Sequence, residues 1–220
     1  MSTDEATVLQ GRVAPALREE FPGLGFFYSI VPAQPGRTPS GVKKHLRYLS
    51  DRMHGRRALS LRREPIASAY RVFFRHIGLD PDEVRIPLEA AVVERLRAGG
   101  FKSEGLVEDA ITIATVETGV AMRAFDVGRV QGGLGLRLAE PGEHLGGKSG
   151  IELPDGTLVV ADEQAPLKLI FGETAPDYAV SRQTERVAVC AVRVEGVPNI
   201  SVEEAIWSCV SVLRAAEPKP

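Results

Sequence analysis

Hydrophobic and polar positions follow two different periods along this chain, and the change falls near residue 126. Upstream, most apolar positions recur at helical spacing. "GRVAPALREEFPG" predicts a short helix stopped at Pro22. "GFFYSIV" (25–31) is the exception, an aromatic and β-branched run of buried-strand type. "VKKHLRYLSDRMHG" places Val42, Leu46, Leu49 and Met53 on one helical face, with basic residues on the other. "EPIASAYRVFFRHIG" does the same with Ile66, Tyr70, Phe73, Phe74 and Ile77, opened by Pro65 and closed by Gly78. "PLEAAVVERLRAGG" points Leu88, Ala91, Val92 and Leu96 inward between Pro87 and the Gly99-Gly100 stop. "VEDAITIATVETG" is rich in β-branched residues but suits a buried helix ending at Gly119.

Beyond residue 130 the period falls to two. "GLGLRLA" aligns Leu134, Leu136 and Leu138 on one face. "IELPDGTLVVAD" predicts a hairpin turning at Pro154-Asp155-Gly156. "LKLIF" (167–171) and "RVAVCAVRV" (186–194) are further strands. A last helix is predicted with a Ser201–Glu204 capping box and an inner face of Val202, Ile206, Cys209 and Leu213. Strands with segregated helices give an α+β class. No strand-to-helix turn carries a glycine-rich phosphate loop. With no repeat or linker in between, residues 1–220 are expected to form a single domain.

Composition is that of a soluble globular protein, 44% hydrophobic and 25% charged. No apolar run approaches the roughly 18 residues that span a bilayer. The acidic start "MSTDEATVLQ" is unlike a signal peptide, so no membrane association is expected. Two cysteines, Cys190 and Cys209, make neither a disulfide framework nor zinc-type spacing. The expectation is a reduced, cytoplasmic protein with no metal and no cofactor. Net charge is only −2, but its distribution is uneven. Residues 36–75 hold eleven Lys/Arg against Asp51 and Glu64, a local +9 that leaves −11 elsewhere. This basic helical segment fits either a polyanion footprint or a solvated face paired with acids of the fold.

Candidate chemistry is sparse. His45, His54, His76 and His144 lack the spacing of metal pairs, and all four are read as structural, His45 and His54 as solvated. Glu117, Asp126, Asp162 and Glu173 are acidic candidates, the last two equally suited to turns. Arg123 stands out in "ETGVAMRAFDVGRV". A guanidinium between a buried helix and a buried strand needs an anion, and Glu117 or Asp126 is the internal partner expected from proximity.

The order of motifs then carries a resemblance. "VEDAITIATVETGVAMRAFDVGRVQGGLGLRLAEPGEHL", "IELPDGTLVVADEQAPLKLIFGE" and "SRQTERVAVCAVRV" resemble the tRNA-binding editing module of the phenylalanyl-tRNA synthetase β-chain, its third and fourth B domains, in a free-standing form. The match covers about residues 60–195; "ETG…AFD", "LRLAEPGEHL" and "LVVADE" are its most specific parts. The resemblance implies a three-layer β/β/α architecture. It also implies a partner, tRNA or aminoacyl-tRNA, and hydrolysis of a wrong amino acid from the tRNA 3′ end. In the synthetase pattern the positions of Ile111, Arg123 and Cys190 hold a threonine, a histidine and a glutamate of the editing pocket. All three are replaced here, so a tyrosine hydroxyl would not be read by the same contacts.

On this basis the expected substrate site comprises Ile111, Thr112, Glu117, Arg123, Asp126, Glu173 and Cys190, with no catalytic residue assigned. Lys43, Lys44, Arg47, Arg56 and Arg57 are the expected phosphate contacts. The expected activity is deacylation of mischarged aminoacyl-tRNA in trans, without ligase activity. A non-catalytic RNA-binding module and an amino-acid or small-molecule binder are the alternatives. The sequence names neither the amino acid nor the oligomeric state.

Overall fold

Proline sets the start of three helices. Pro15, Pro65 and Pro87 open α1 (Pro15–Glu20), α4 (Pro65–His76) and α5 (Pro87–Ala98), where the missing N–H costs nothing. The computed structural model describes residues 7–33, 36–53, 55–148 and 150–216, with Arg56 and Leu59 described as backbone only. Its other helices are α2 (Ser40–Arg52), α3 (Gly55–Ser60), α6 (Leu106–Thr118) and α7 (Asn199–Ala215). Gly119 ends α6 in the left-handed region at φ +77°, where a side chain would be strained.

Strands fall into two four-stranded sheets. The first runs in the order β1 (Leu9–Gln10), β3 (Gly25–Pro32), β8 (Arg186–Arg193), β4 (Met122–Asp126), with each neighbouring pair antiparallel. The second runs β2 (Arg12–Val13), β5 (Gly135–Leu138), β6 (Leu158–Ala161), β7 (Pro166–Leu169), parallel only at β2–β5. β1 and β2 are joined through Gly11. A side chain there would meet the Phe26 ring and lie 2.8 Å from the Leu134 carbonyl, so glycine lets the chain pass from one sheet to the other. That link fixes β1 and β2 along one side of the sandwich. β4 and β7 are therefore the outer strands of the opposite side. α6 and α7 lie side by side over the other face of the first sheet. The result is the expected three-layer α+β arrangement.

The core is continuous through these layers. Phe26, Phe125, Val187 and Val189 of the first sheet are buried with Leu136, Val159 and Leu167 of the second. Val202, Ile206, Cys209 and Leu213 bury the inner face of α7. Phe171 closes one end against Tyr70, Phe73 and Phe74 of α4, its ring 4.7 Å from that of Phe74.

Three expectations require correction. Ile151–Leu153 does not form a hairpin with β6. The 154–157 turn exists, but β6 pairs with β5 and β7, while residues 151–153 bond back to Glu143 and Leu145 and leave Ile151 69% exposed. The capping box is also absent: α7 begins at Asn199 after Pro198, so Ser201 already lies inside the helix. Leu96 faces solvent, because α5 is covered only along its Leu88–Val92 side.

Candidate functional site

The strand register builds the site. Tyr28 of β3 stands opposite Cys190 of β8, and Cys190 opposite Arg123 of β4. Directly opposed residues share a face, so these side chains form one row across the sheet. Phe26 lies on that same face and reaches the Gly11–Leu134 crossing, which identifies it as the face turned toward the second sheet. From the second sheet comes Lys168 of β7, only 4% exposed. Arg123 and Lys168 thus project from the two outer strands of the same side, close enough for the guanidinium charge to act on the ammonium.

Both cations are held by neutral groups. Lys168 Nζ donates to the Gly172 carbonyl and, at 2.8 Å, to Thr174 Oγ1 on the turn that folds back along β7. Arg123, half-buried, donates Nη1 to the carbonyl of its neighbour Met122 at 2.9 Å. Among the described residues neither forms an ion pair with a carboxylate. Burial first, and the nearby Arg123 charge second, lower the pKa of Lys168 from its ordinary value to about 8. Burial likewise draws the Arg123 pKa downward, although a guanidinium remains cationic. The Cys190 thiol is pushed up to about 12 by burial, so it is a neutral wall and not a thiolate nucleophile. Tyr70 donates its hydroxyl to the Val192 carbonyl at 2.6 Å, and burial raises its pKa as well.

The expected partners of Arg123 are engaged elsewhere. Glu117 accepts from His45 at 2.8 Å and from Ser208 at 3.0 Å, in a surface hollow between α2, α6 and α7. His45 is consequently paired, not simply solvated, and His54 lies outside the described residues. Asp126 accepts from Thr184 Oγ1 at 2.6 Å and from the Gly128 amide, tying the loop before β8 to the end of β4. Asp162 is a turn residue, accepting from the Gln131, Gln164 and Ala165 amides.

The structure therefore brings Arg123 and Cys190 together, with Glu173 exposed on the adjoining turn. Thr112 lines a separate hollow with Glu94, Arg95 and Lys102, and half-buried Ile111 sits on the same helix in the layer behind the sheet. Lys168 escaped sequence reading. Its only signal was a lysine inside the apolar run "PLKLI". The motif "LRLAEPGEHL" is structural: Arg137 donates to both oxygens of Glu143 at 2.6 and 2.5 Å, and Glu143 also accepts from the Glu140 amide.

The basic segment divides in two. Arg71, buried, and Arg62, exposed, both pair with acids of the fold. Arg71 grips buried Glu89 at 2.9 and 3.0 Å and Asp82 at 2.8 Å, while Arg62 reaches Asp82 at 3.1 Å. Lys44, Arg47 and Arg57 are exposed and Lys43 is half-buried; no side-chain partner is recorded for these four among the described residues. The Arg56 side chain lies outside the description. Lys43 joins Arg37 and Arg182 in a cleft at the start of α6 that Glu104 and Glu108 also line. Arg182 belongs to the loop that Thr184 ties to β4, so this cleft and the Arg123 side of the sandwich share one connecting segment.

Two facing sheets backed by helices, with cations on the outer strands of one side, define a module of α+β class. The chain belongs to the B3/4 domain family, whose model matches residues 69–202. It is similar to the phenylalanine–tRNA ligase beta subunits of Legionella pneumophila, 35% identical over 48% of this chain, and of Vibrio parahaemolyticus, 35% over 53%. That of Streptomyces avermitilis is 36% identical over 42%. The matches span only 13%, 15% and 11% of those relatives' lengths. The chain is thus a synthetase-related module. No helix among the described residues is long and apolar enough to cross a membrane.

Proposed function

We propose that this chain binds tRNA and acts in trans on its acylated 3′ end, hydrolysing the ester of a mischarged aminoacyl-tRNA. The observation that carries the reading is the set Lys43, Lys44, Arg47 and Arg57, cations without acid partners among the described residues, continuing into the Arg37–Arg182 cleft. Protein-paired lysines and arginines would gain little from phosphates; these remain available for them. The family relationship supplies the kind of polyanion.

Hydrolysis requires a water directed at the ester carbonyl and stabilisation of the resulting oxyanion. An aminoacyl ester is already activated, so orientation supplies much of the acceleration. Thr174 and Glu173, on the turn beside Lys168, are the polar side chains placed to hold such a water.

Combined Lys44→Glu, Arg47→Glu and Arg57→Glu tests the interface. Three lost phosphate contacts should weaken tRNA binding and reduce the slope of log affinity against log salt by about 2, at roughly 0.7–0.9 per contact. The melting temperature should stay unchanged, because these side chains are exposed. Unchanged affinity at low salt removes this face from the interface. Loss of the acyl group from a panel of correctly and incorrectly charged tRNAs tests the chemistry. Binding without turnover overturns the hydrolytic part and leaves an RNA-binding module.

A further inference from the structure

We propose that Arg123 and Lys168 form a carboxylate-binding site between the outer strands β4 and β7 of the sandwich, one that selects acyl groups bearing a side-chain carboxylate, or free acids of the same chemistry. The donor count comes first. Lys168 has three N–H donors and, among the described residues, spends two, on Gly172 and Thr174, leaving one. Arg123 has five and, among the described residues, spends one, on Met122. One free ammonium proton beside a nearly free guanidinium fork matches the two oxygens of a carboxylate.

The fold also withholds an internal anion. Glu117 and Asp126 are bound by His45, Ser208, Thr184 and the Gly128 amide. Cys190, between Arg123 and Tyr28, is a thiol. Glu173 is exposed on its turn and makes no ion pair with either cation among the described residues. Two like charges near each other in a folded interior repel each other and are poorly solvated. A bound carboxylate relieves both costs at once, so the protein holds the site prepared for it. Arg123 keeps partial solvent access while Lys168 is almost fully covered. An anion entering from solvent therefore meets the guanidinium first and the ammonium second.

Only the aminoacyl source rests on the proposed action at tRNA 3′ ends; the carboxylate site does not. L-glutamic acid α-methyl ester mimics an acidic aminoacyl ester, with a free side-chain carboxylate. L-glutamine methyl ester carries no carboxylate, free L-glutamine carries only the α-carboxylate, and inorganic phosphate is a competing oxyanion. Calorimetric titration of the wild type, Arg123→Met and Lys168→Met with each probe reads the site directly. The glutamate ester should bind at least tenfold more tightly than the glutamine ester, and each substitution should remove at least tenfold of that affinity. Tighter binding of free glutamine supports the site and assigns its source to free acids. Preference for phosphate, no preference for the glutamate ester or free glutamine over the glutamine ester, or indifference to both substitutions overturns the inference. The tRNA affinity of the same variants separates the two readings. Variants that keep tRNA binding and lose carboxylate binding assign both residues to this site, whereas a wild type that binds tRNA without the carboxylate preference overturns this inference and leaves the tRNA interface intact. A melt of each variant confirms folding, and Lys168→Met keeps the test open should Arg123→Met unfold.

Discussion

Replacing Lys168 by methionine should stabilise the protein, because the wild type carries a buried ammonium that forms no ion pair among the described residues. Its pKa falls from 10.5 to about 8, and at about 1.36 kcal/mol per unit the folded state bears roughly 3 kcal/mol for keeping the group charged at neutral pH. Methionine retains an apolar stem in the same space and removes the charge. Against that stand two lost hydrogen bonds. Gly172 is exposed and Thr174 half-buried, so water replaces the lysine at modest cost, about 1 kcal/mol. The net gain is about 2 kcal/mol, which for a chain of this size raises the melting temperature by roughly 4–8 °C. The sign of the pH dependence follows from a folded pKa that lies below the unfolded one. Below pH 8 both states are protonated and the penalty is complete. Between about pH 8 and 10.5 the unfolded chain binds more protons, so wild-type stability rises relative to the variant, and above that window the difference closes. The charged and titratable groups acting on Lys168 are Arg123, Cys190 and Glu173. Cys190, raised to about 12, works oppositely at alkaline pH, but it is present in both proteins and largely leaves their difference. Melts of both proteins at pH 7 and pH 10, at fixed ionic strength, measure the effect. A variant less stable than wild type at pH 7, or a gap that does not shrink by pH 10, would refute the assignment of Lys168 as an uncompensated charge. A gain in stability joined to lost carboxylate binding is the behaviour of a functional site maintained at the expense of the fold.

Two further outcomes follow from polar groups elsewhere in the core. Glu89→Ala should cost roughly 3–5 kcal/mol in urea unfolding, because Arg71, 8% exposed, would lose its buried carboxylate and keep the exposed Asp82 and a long bond to the Pro81 carbonyl; a loss below about 1 kcal/mol would show that solvent reaches the pair. Tyr70→Phe should cost about 1–3 kcal/mol by stranding the buried Val192 carbonyl, with the aromatic packing on Phe171 retained, and equal denaturation midpoints for wild type and variant would contradict that.

The helices were legible because each buries one stripe of its own sequence. Val42, Leu46, Leu49 and Met53, or Tyr70, Phe73 and Phe74, declare an inner face without reference to the rest of the chain. Even α6, whose β-branched residues suit a strand, kept its helical reading because Ala110, Ile113 and Ala114 share a buried side that ends at Gly119. Strand partners were less legible, since pairing is a property of two segments. The Pro154-Asp155-Gly156 turn was identified, yet its upstream arm went to Glu143 and Leu145, because β5 offered β6 a longer apolar edge. β1 and β2, two residues each, carry no periodic signal at all.

The site shows the same division at the level of single residues. Proximity in sequence made Glu117 and Asp126 the natural partners of Arg123. Strand alternation puts Asp126, three positions along β4, on the opposite face, and Glu117 ends a helix of the layer behind. Each then meets a partner from far away in the chain, Ser208 across 91 residues and Thr184 across 58. Lys168 was hidden for the converse reason. In an alternating strand a lysine between leucines marks the wet face, and that rule holds wherever one face of the sheet is wet. Here Leu167 and Lys168 are both buried, so β7 has partners on either side and alternation stops reporting exposure. What sequence could supply was a lysine in an apolar run and an arginine at a helix–strand junction, 45 positions apart. Only the parallel ordering of the two sheets, with β4 and β7 outermost on one side, turns those separate anomalies into a single site with two positive charges and an anion still to be found.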